Sequence, residues 1–200
     1  MNQSHSAVEE LLRRARRGDR EALGELLEQH RAYLRILAER YIYGQLAARV
    51  DASDVIQQTC LSVYGNFDKF HGKEKAEFIA WLRRIHEQNI QNVVREHTLV
   101  QKRALGREQP RDDRQSESRQ FPPADQTTAS QRVLRDERAV QLARTLEKLP
   151  DDQREVVRLR HLEGWSLARI AGQLDRSEAA TIGLLKRGMR NLRKYLLDDE

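Results

Sequence analysis

The stretch from Leu99 to Gln131 most limits what this chain can become. It holds three of the four prolines (Pro110, Pro122, Pro123), mixed charge, Ser and Gln, and few large apolar residues. Such a segment cannot bury enough surface to offset the entropy of ordering itself, so it reads as a linker. As a free coil it would span roughly 30 Å, and drawn out roughly 110 Å. The apolar residues on either side must therefore build two small cores rather than one.

Both flanking blocks read as helical, and no period-two alternation of useful length occurs. Val8, Leu11, Leu12 and Ala15 repeat at helical spacing until Gly18-Asp19 breaks the run, and Leu23, Leu26, Leu27, Leu34 and Leu37 resume it. Asp51-Ala52-Ser53-Asp54 offers short polar caps for a helix whose inner face carries Val55, Ile56, Thr59, Cys60 and Val63. A third helix holds Phe78, Trp81, Leu82, Ile85, Ile90, Val93 and Val94, and the spacing of Phe78 and Trp81 places them in the core rather than on a stacking surface. Beyond the linker, Leu149-Pro150 ends one helix and Asp151-Asp152 opens another; Gly164-Trp165 breaks that one, and Ser166 caps a short helix through Leu174. The expected fold class is all-α: two small helical domains, residues 8–98 and 132–200, joined by a flexible linker over 99–131.

The last two helices carry the chemistry. Asp175-Arg176-Ser177 is a three-residue corner between a short helix with Leu167, Ile170, Ala171 and Leu174 inward and a longer one reaching about Leu196. That is the pattern of a helix-turn-helix. On the longer helix Thr181, Leu185, Met189 (or Gly188), Leu192 and Leu196 form the expected inner face. Ala179, Gly183, Lys186, Arg187, Arg190 and Lys194 lie opposite. Small residues near the helix start let that end enter a major groove, and the cations further along can meet phosphates. Ser177 adds a hydroxyl at the helix start. Between Arg176 and Lys194 six basic side chains face only Glu178, and a one-sided stripe is a better sign of a phosphate partner than the net charge of +5.

Leu146–Arg193 (LEKLPDDQREVVRLRHLEGWSLARIAGQLDRSEAATIGLLKRGMRNLR) resembles region 4 of the sigma-70 family. Asp51–Phe70 (DASDVIQQTCLSVYGNFDKF) resembles its region 2.2, and Phe78–Arg95 (FIAWLRRIHEQNIQNVVR) its regions 2.3 and 2.4. The short form resembles the extracytoplasmic-function (ECF) class. The resemblance implies an alternative sigma factor that directs RNA polymerase core to promoters, with 8–98 binding polymerase and melting the −10 element and 132–200 reading the −35 element. It places Asp51, Asp54, Gln57, Gln58 and Leu61 against the clamp helices of polymerase β′. His71, Lys73, Lys75, Arg83, Arg84, Asn89, Asn92 and Arg95 fall to the −10 strand, and Ser177, Ala179, Ala180, Gly183, Lys186, Arg187 and Arg190 to the −35 duplex. Ile182 and Leu184 stand where many members carry Lys and Arg, which leaves the −35 preference open.

The implied partners are RNA polymerase core (β′ clamp helices and β subunit) and promoter DNA, with an anti-sigma factor as a further partner that the sequence leaves open. No cofactor and no metal are expected, because no His or Cys pair has a zinc-site spacing. Cys60 is the single cysteine, so no internal disulfide can form, and a reducing cytoplasm fits. No secretory signal and no membrane-spanning run is visible. His30, His71, His86 and His161 read as surface or helix-packing residues without a catalytic partner, so no enzyme is expected. Two other classes compete: a stand-alone helix-turn-helix regulator, which would bind duplex DNA without polymerase, and a helical adaptor, which would bind only proteins.

Overall fold

The computed structural model describes residues 2–42, 50–105 and 129–198. Among these the architecture is all-α, with no strand: α1 (Asn2–Arg16), α2 (Arg20–Tyr41), α3 (Ala52–Asn66), a 3₁₀ turn (Phe67–Lys69), α4 (Lys75–Leu105), α5 (Ala129–Glu147), α6 (Asp151–Val157), a π-helical turn (Arg158–Leu162), α7 (Leu167–Gln173) and α8 (Glu178–Asp198). They group into two compact units, one within Val8–Asp136 and the other within Glu137–Glu200 together with the first seven residues.

The first unit is punctuated where short polar residues and glycine stand. α1 ends with Gly18 at φ +93, the Gly18 N–H on the Ala15 carbonyl (2.9 Å) and the Asp19 N–H on that of Arg14 (3.2 Å). This is the Schellman ending that a left-handed glycine allows. The next residue, Asp19, starts α2: one carboxylate oxygen accepts the N–H groups of Ala22 (3.0 Å) and Glu21 (3.1 Å), while the other takes Arg14 Nε (2.8 Å). The Ala22 N–H first, then the Arg14 side chain, holds this carboxyl below the usual range. Asp51 caps α3 in the same way through the Ser53 N–H (2.8 Å).

Leu26 and Leu34 of α2, Ile56 of α3 and Phe78, Ile79, Leu82 and Ile90 of α4 are completely buried. One polar network runs through this core. His86 Nε2 faces the Leu34 carbonyl at 2.9 Å, His86 Nδ1 faces Thr59 Oγ1 at 2.8 Å, and Asn89 Nδ2 donates to Thr59 Oγ1 (3.3 Å) and Ser62 Oγ (3.2 Å). Three helices are thereby tied at one point. α4 continues through Leu105, into the stretch expected to be linker. Leu99–Leu105 contains neither Pro nor Gly, and each residue added to an existing helix fixes one more hydrogen bond. α5 likewise begins earlier than expected, at Ala129. Residues 106–128 of the expected linker lie outside the described residues.

In the second unit, α6, α7 and α8 pack around Val156, Leu159, Ile170 and Leu184, with Trp165, Leu174 and Leu185 at the margin. The π-helical turn is closed by Gly164 at φ +74, and the Trp165 N–H returns to the Leu159 carbonyl (2.9 Å). α6 and α8 pack tightly at Gly188, where an added Cβ would lie 2.9 Å from Val157 Cγ2 and 3.3 Å from both Gln153 Cβ and the Gln153 carbonyl oxygen. Gly188→Ala gains roughly 1 kcal/mol of helix propensity but forces a methyl onto backbone and a buried valine, an overpacking cost of about 1–3 kcal/mol. The expected net result is destabilisation, read as a lower urea midpoint for this unit. A raised midpoint would show that the two helices can part at no cost.

Candidate nucleic-acid interface

The corner between α7 and α8 is built by backbone hydrogen bonds. Ser166 caps α7 through the Arg169 N–H (3.2 Å). At the other end Asp175 takes φ 50, its N–H reaches the Gly172 carbonyl (3.4 Å), and the Arg176 N–H reaches that of Ala171 (3.0 Å). This is again a Schellman ending, here with an aspartate in the left-handed region that short polar residues tolerate. Ser177 Oγ then accepts the Ala180 N–H (3.2 Å), so the hydroxyl at the helix start caps α8. Arg176, counted in the sequence among the free cations, donates to Asp152 (2.5 Å) and pins the corner to α6.

α8 is turned by about one residue from the expected orientation. Its buried residues are Thr181, Leu184, Gly188 and Leu192. Leu185 is only partly buried, and Met189 is 40% exposed. Gly188 is the reason: without a side chain it lets Val157 and Gln153 approach the helix backbone, so the stripe through Gly188 faces inward. Leu184 is therefore a core residue and not part of a DNA-reading surface. Ile182 stays at the edge, half-buried.

The outward face keeps the expected composition. Ala179 and Ala180 are exposed at the start of α8, Gly183 is half-buried, and Lys186, Arg187, Arg190, Arg193 and Lys194 are exposed. An added Cβ on Gly183 would lie 3.4 Å from Arg187 Nη1, so the guanidinium folds back one turn toward the helix start. That follows the ordinary tilt of helical side chains. Small residues at the tip with cations behind them can reach both base edges and phosphates.

In the first unit, Asp51, Asp54, Gln57, Gln58 and Leu61 are all exposed along α3, with Leu61 at 59% and the nearby Tyr64 at 41%. Two large apolar side chains standing among carboxylates and amides mark a face that suits a protein partner. Asp54 and Gln58 also line one groove with Asn89, Asn92 and Glu96 of α4, so residues expected in two separate sites share a wall.

The residues expected to meet the −10 strand divide. His71 and Lys73 are exposed on the loop before α4, as are Arg84, Asn92 and Arg95 on the helix, while Lys75 is half-buried at its start. Asn89 departs from the expectation: it is 9% exposed and turned inward onto Thr59 and Ser62, where its amide is used to hold α3 to α4. Arg83 is also anchored, to Glu87 (2.8 Å) and Asp136 (2.7 Å).

The loop itself is shaped by its own Gly72 and by Glu77, which the sequence pattern did not single out. Glu77 accepts the N–H groups of Lys73 (2.7 Å) and Glu74 (3.0 Å), which lowers its pKa. The three-residue spacing from Glu74 to Glu77 was the available signal. Gly72 lies flat on the Phe70 ring, where a Cβ would come within 2.6 Å of Cε2 and 2.9 Å of Glu77 Cβ. Phe70 packs in turn against Phe67, Phe78 and Trp81, at centroid separations of 5.9, 5.9 and 5.1 Å, edge-on to Phe78 and tilted to the other two. Phe78 is fully buried, in agreement with the core reading, and Trp81 is half-buried. No helix among the described residues is long and apolar enough to cross a membrane.

Comparison with known proteins fits this geometry. The family model for sigma-70 region 2 matches residues 26–99, and that for sigma-70 region 4 matches residues 139–192. The ECF RNA polymerase sigma-E factor of Salmonella typhimurium is 29% identical over 170 residues, covering 82% of this chain and 81% of that protein. The RNA polymerase sigma-H factor of Pseudomonas aeruginosa is 28% identical over 168 residues, covering 82% and 80%. Among solved structures, CnrH in complex with the cytosolic domain of CnrY is 24% identical, covers 97% of this chain and 99% of its own, and aligns with a TM-score of 0.38. With a region 2 match over the helices that carry the exposed α3 face, and a region 4 match over the helix-turn-helix, the chain belongs to the sigma-70 family and is an alternative sigma factor of the ECF class.

Proposed function

We propose that residues 8–98 seat this factor on RNA polymerase core and melt the −10 element, while residues 132–200 grip the −35 element, with 99–131 between them. The observation that carries this reading is α8. Its inner stripe is packed, while its outer stripe presents small residues and then Lys186, Arg187, Arg190, Arg193 and Lys194 with no carboxylate contact among the described residues. The α3 face of Asp51, Asp54, Gln57, Gln58 and Leu61 meets the β′ clamp helices. The loop 71–75, with Arg84, Asn92 and Arg95, follows the opened strand. Arg83 and Asn89 position α4. No step makes or breaks a covalent bond; single-strand capture offsets an unstacking cost of a few kcal/mol. The reading places the protein in the cytoplasm, with an anti-sigma protein as a further partner that covers the same exposed surfaces at rest.

Transcription run-off with purified core polymerase on genomic fragments tests it. New, discrete start sites should require both core and this chain. Specific duplex binding by the chain alone would favour a stand-alone regulator, and no salt-dependent DNA affinity in either form would favour an adaptor. The α3 face has its own test. Leu61→Glu removes an exposed apolar contact without touching the core, so folding should be unchanged while affinity for core polymerase falls by about 1–3 kcal/mol, which is roughly 5- to 150-fold. Co-elution of Leu61→Glu with core at wild-type affinity would remove α3 from the interface.

A further inference from the structure

The loop that leads into α4 is held more firmly than its composition requires. His71, Lys73 and Glu74 are exposed, and loops of this kind are ordinarily among the more mobile parts of a chain. Here the backbone is gripped at one point. Gly72 is pinched between the Phe70 ring and the stem of Glu77, where an added Cβ would lie 2.6 Å from Phe70 Cε2 and 2.9 Å from Glu77 Cβ. The Glu77 carboxylate then takes the next two N–H groups, those of Lys73 (2.7 Å) and Glu74 (3.0 Å). Phe70 is itself buried, against Phe67, Phe78 and Trp81, so the grip is anchored in the core.

Helix capping accounts for part of this. A glutamate at the third position of α4 that returns to the N–H of Glu74 is the reciprocal half of a capping box. It does not account for the Lys73 N–H, which lies outside the helix, nor for a glycine whose missing side chain lets Glu77 come so close. A side chain at position 72 would meet Glu77 Cβ and push the carboxylate away from both donors. Charge alone also argues against a glutamate here, because the −10 reading lays a phosphate strand along this loop and an anion repels it.

We propose that Glu77 is a positioning residue for strand capture: with Gly72 and Phe70 it fixes the His71–Glu74 backbone, before DNA arrives, in the shape that receives a base. The inference rests on the −10 reading above and adds what sets the shape of the loop. A loop ordered in advance loses less conformational entropy on binding, and the gain is confined to the strand whose base fits. Contacts with phosphates, which any strand offers, draw nothing from it.

The test uses the full chain assembled with core polymerase and two fluorescein-labelled single strands. One is the non-template −10 strand of a promoter mapped by run-off; the other is a scrambled strand of the same composition. Glu77→Ala should lower the preference for the −10 strand roughly tenfold, the equivalent of about one backbone residue left to order on binding. Its affinity for the scrambled strand should hold or rise, because an anion has gone. Glu77→Gln loses the charge but keeps an acceptor oxygen, so it should recover part of the preference. A capping role alone would lower the urea midpoint and leave the preference intact, and simple electrostatics would strengthen binding to both strands equally. Either result overturns the positioning role while the −10 reading stands. If wild type itself does not distinguish the two strands, the −10 reading falls and takes this inference with it. Should Glu77→Ala melt early, Gly72→Ala, which keeps the charge and disturbs the pinch, decides the matter: a wild-type preference refutes the positioning role, and a loss of about the same size supports it.

Discussion

Changing Lys186, Arg187 and Arg190 together to Glu should abolish start-site selection by about three orders of magnitude while the chain stays folded and bound to core polymerase. The three side chains are exposed and lie outside the stripe of Thr181, Leu184, Gly188 and Leu192 that packs α8 against α6 and α7. Each reversal removes an attraction to phosphate or base and substitutes a repulsion. At about 1–3 kcal/mol per contact the set amounts to roughly 4 kcal/mol or more. The salt dependence of promoter binding should also become shallower by about 0.9 per phosphate contact on the duplex. Run-off from a mapped promoter and fluorescence anisotropy across salt concentrations measure the two effects. A variant that initiates at the same sites with the same efficiency would show that α8 does not read the promoter. Leu184→Lys makes the contrast: it buries a charge among Val156, Leu159 and Ile170, so it should unfold the unit rather than alter its specificity.

The same helix shows where sequence reasoning stopped. The ends of α7 and the start of α8 were legible because the corner residues act locally: Ser166, Ser177 and Asp175 need only their own backbone neighbours to cap or turn a helix. Which stripe faces inward was not legible. Ile182, Leu184, Leu185 and Met189 supply apolar side chains on adjacent stripes, and the choice between them depends on how closely α6 approaches Gly188, a long-range fact. The polar residues of α4 follow the same rule. Asn89 and Asn92 carry the same amide three residues apart, yet only Asn89 finds Thr59 and Ser62 across the helix interface. Arg83 differs from Arg84 by having Glu87 one turn along and Asp136 opposite. Helical spacing gave the core of α3 and α4 because those faces are continuous. It could not tell a buried polar partner from a solvated one, since that depends on side chains tens of residues away.

Mild acid should destabilise the first unit through His86. The imidazole is completely buried, and burial is the main reason its pKa is pushed down to about 4; the Leu34 carbonyl pulls weakly the other way. That carbonyl can only accept, so Nε2 carries the proton and Nδ1 is the acceptor facing the Thr59 hydroxyl. Above the ordinary histidine value near 6.5 the ring is neutral in folded and unfolded chains alike and contributes no pH dependence. As pH falls below that value the unfolded chain takes up a proton that the folded one refuses, so stability drops; below about 4 both are protonated and the loss levels off. The whole loss is about 3 kcal/mol, of which about 2 is gone by pH ~5, before the carboxylates titrate appreciably. Urea midpoints measured from pH ~7 to ~5 report it. His86→Gln cannot titrate and can still donate to Leu34, so its midpoint should be nearly flat over that interval although lower at neutral pH. Parallel curves for wild type and His86→Gln would mean that some other group, and not the imidazole tying α2 to α3 and α4, sets the response to acid.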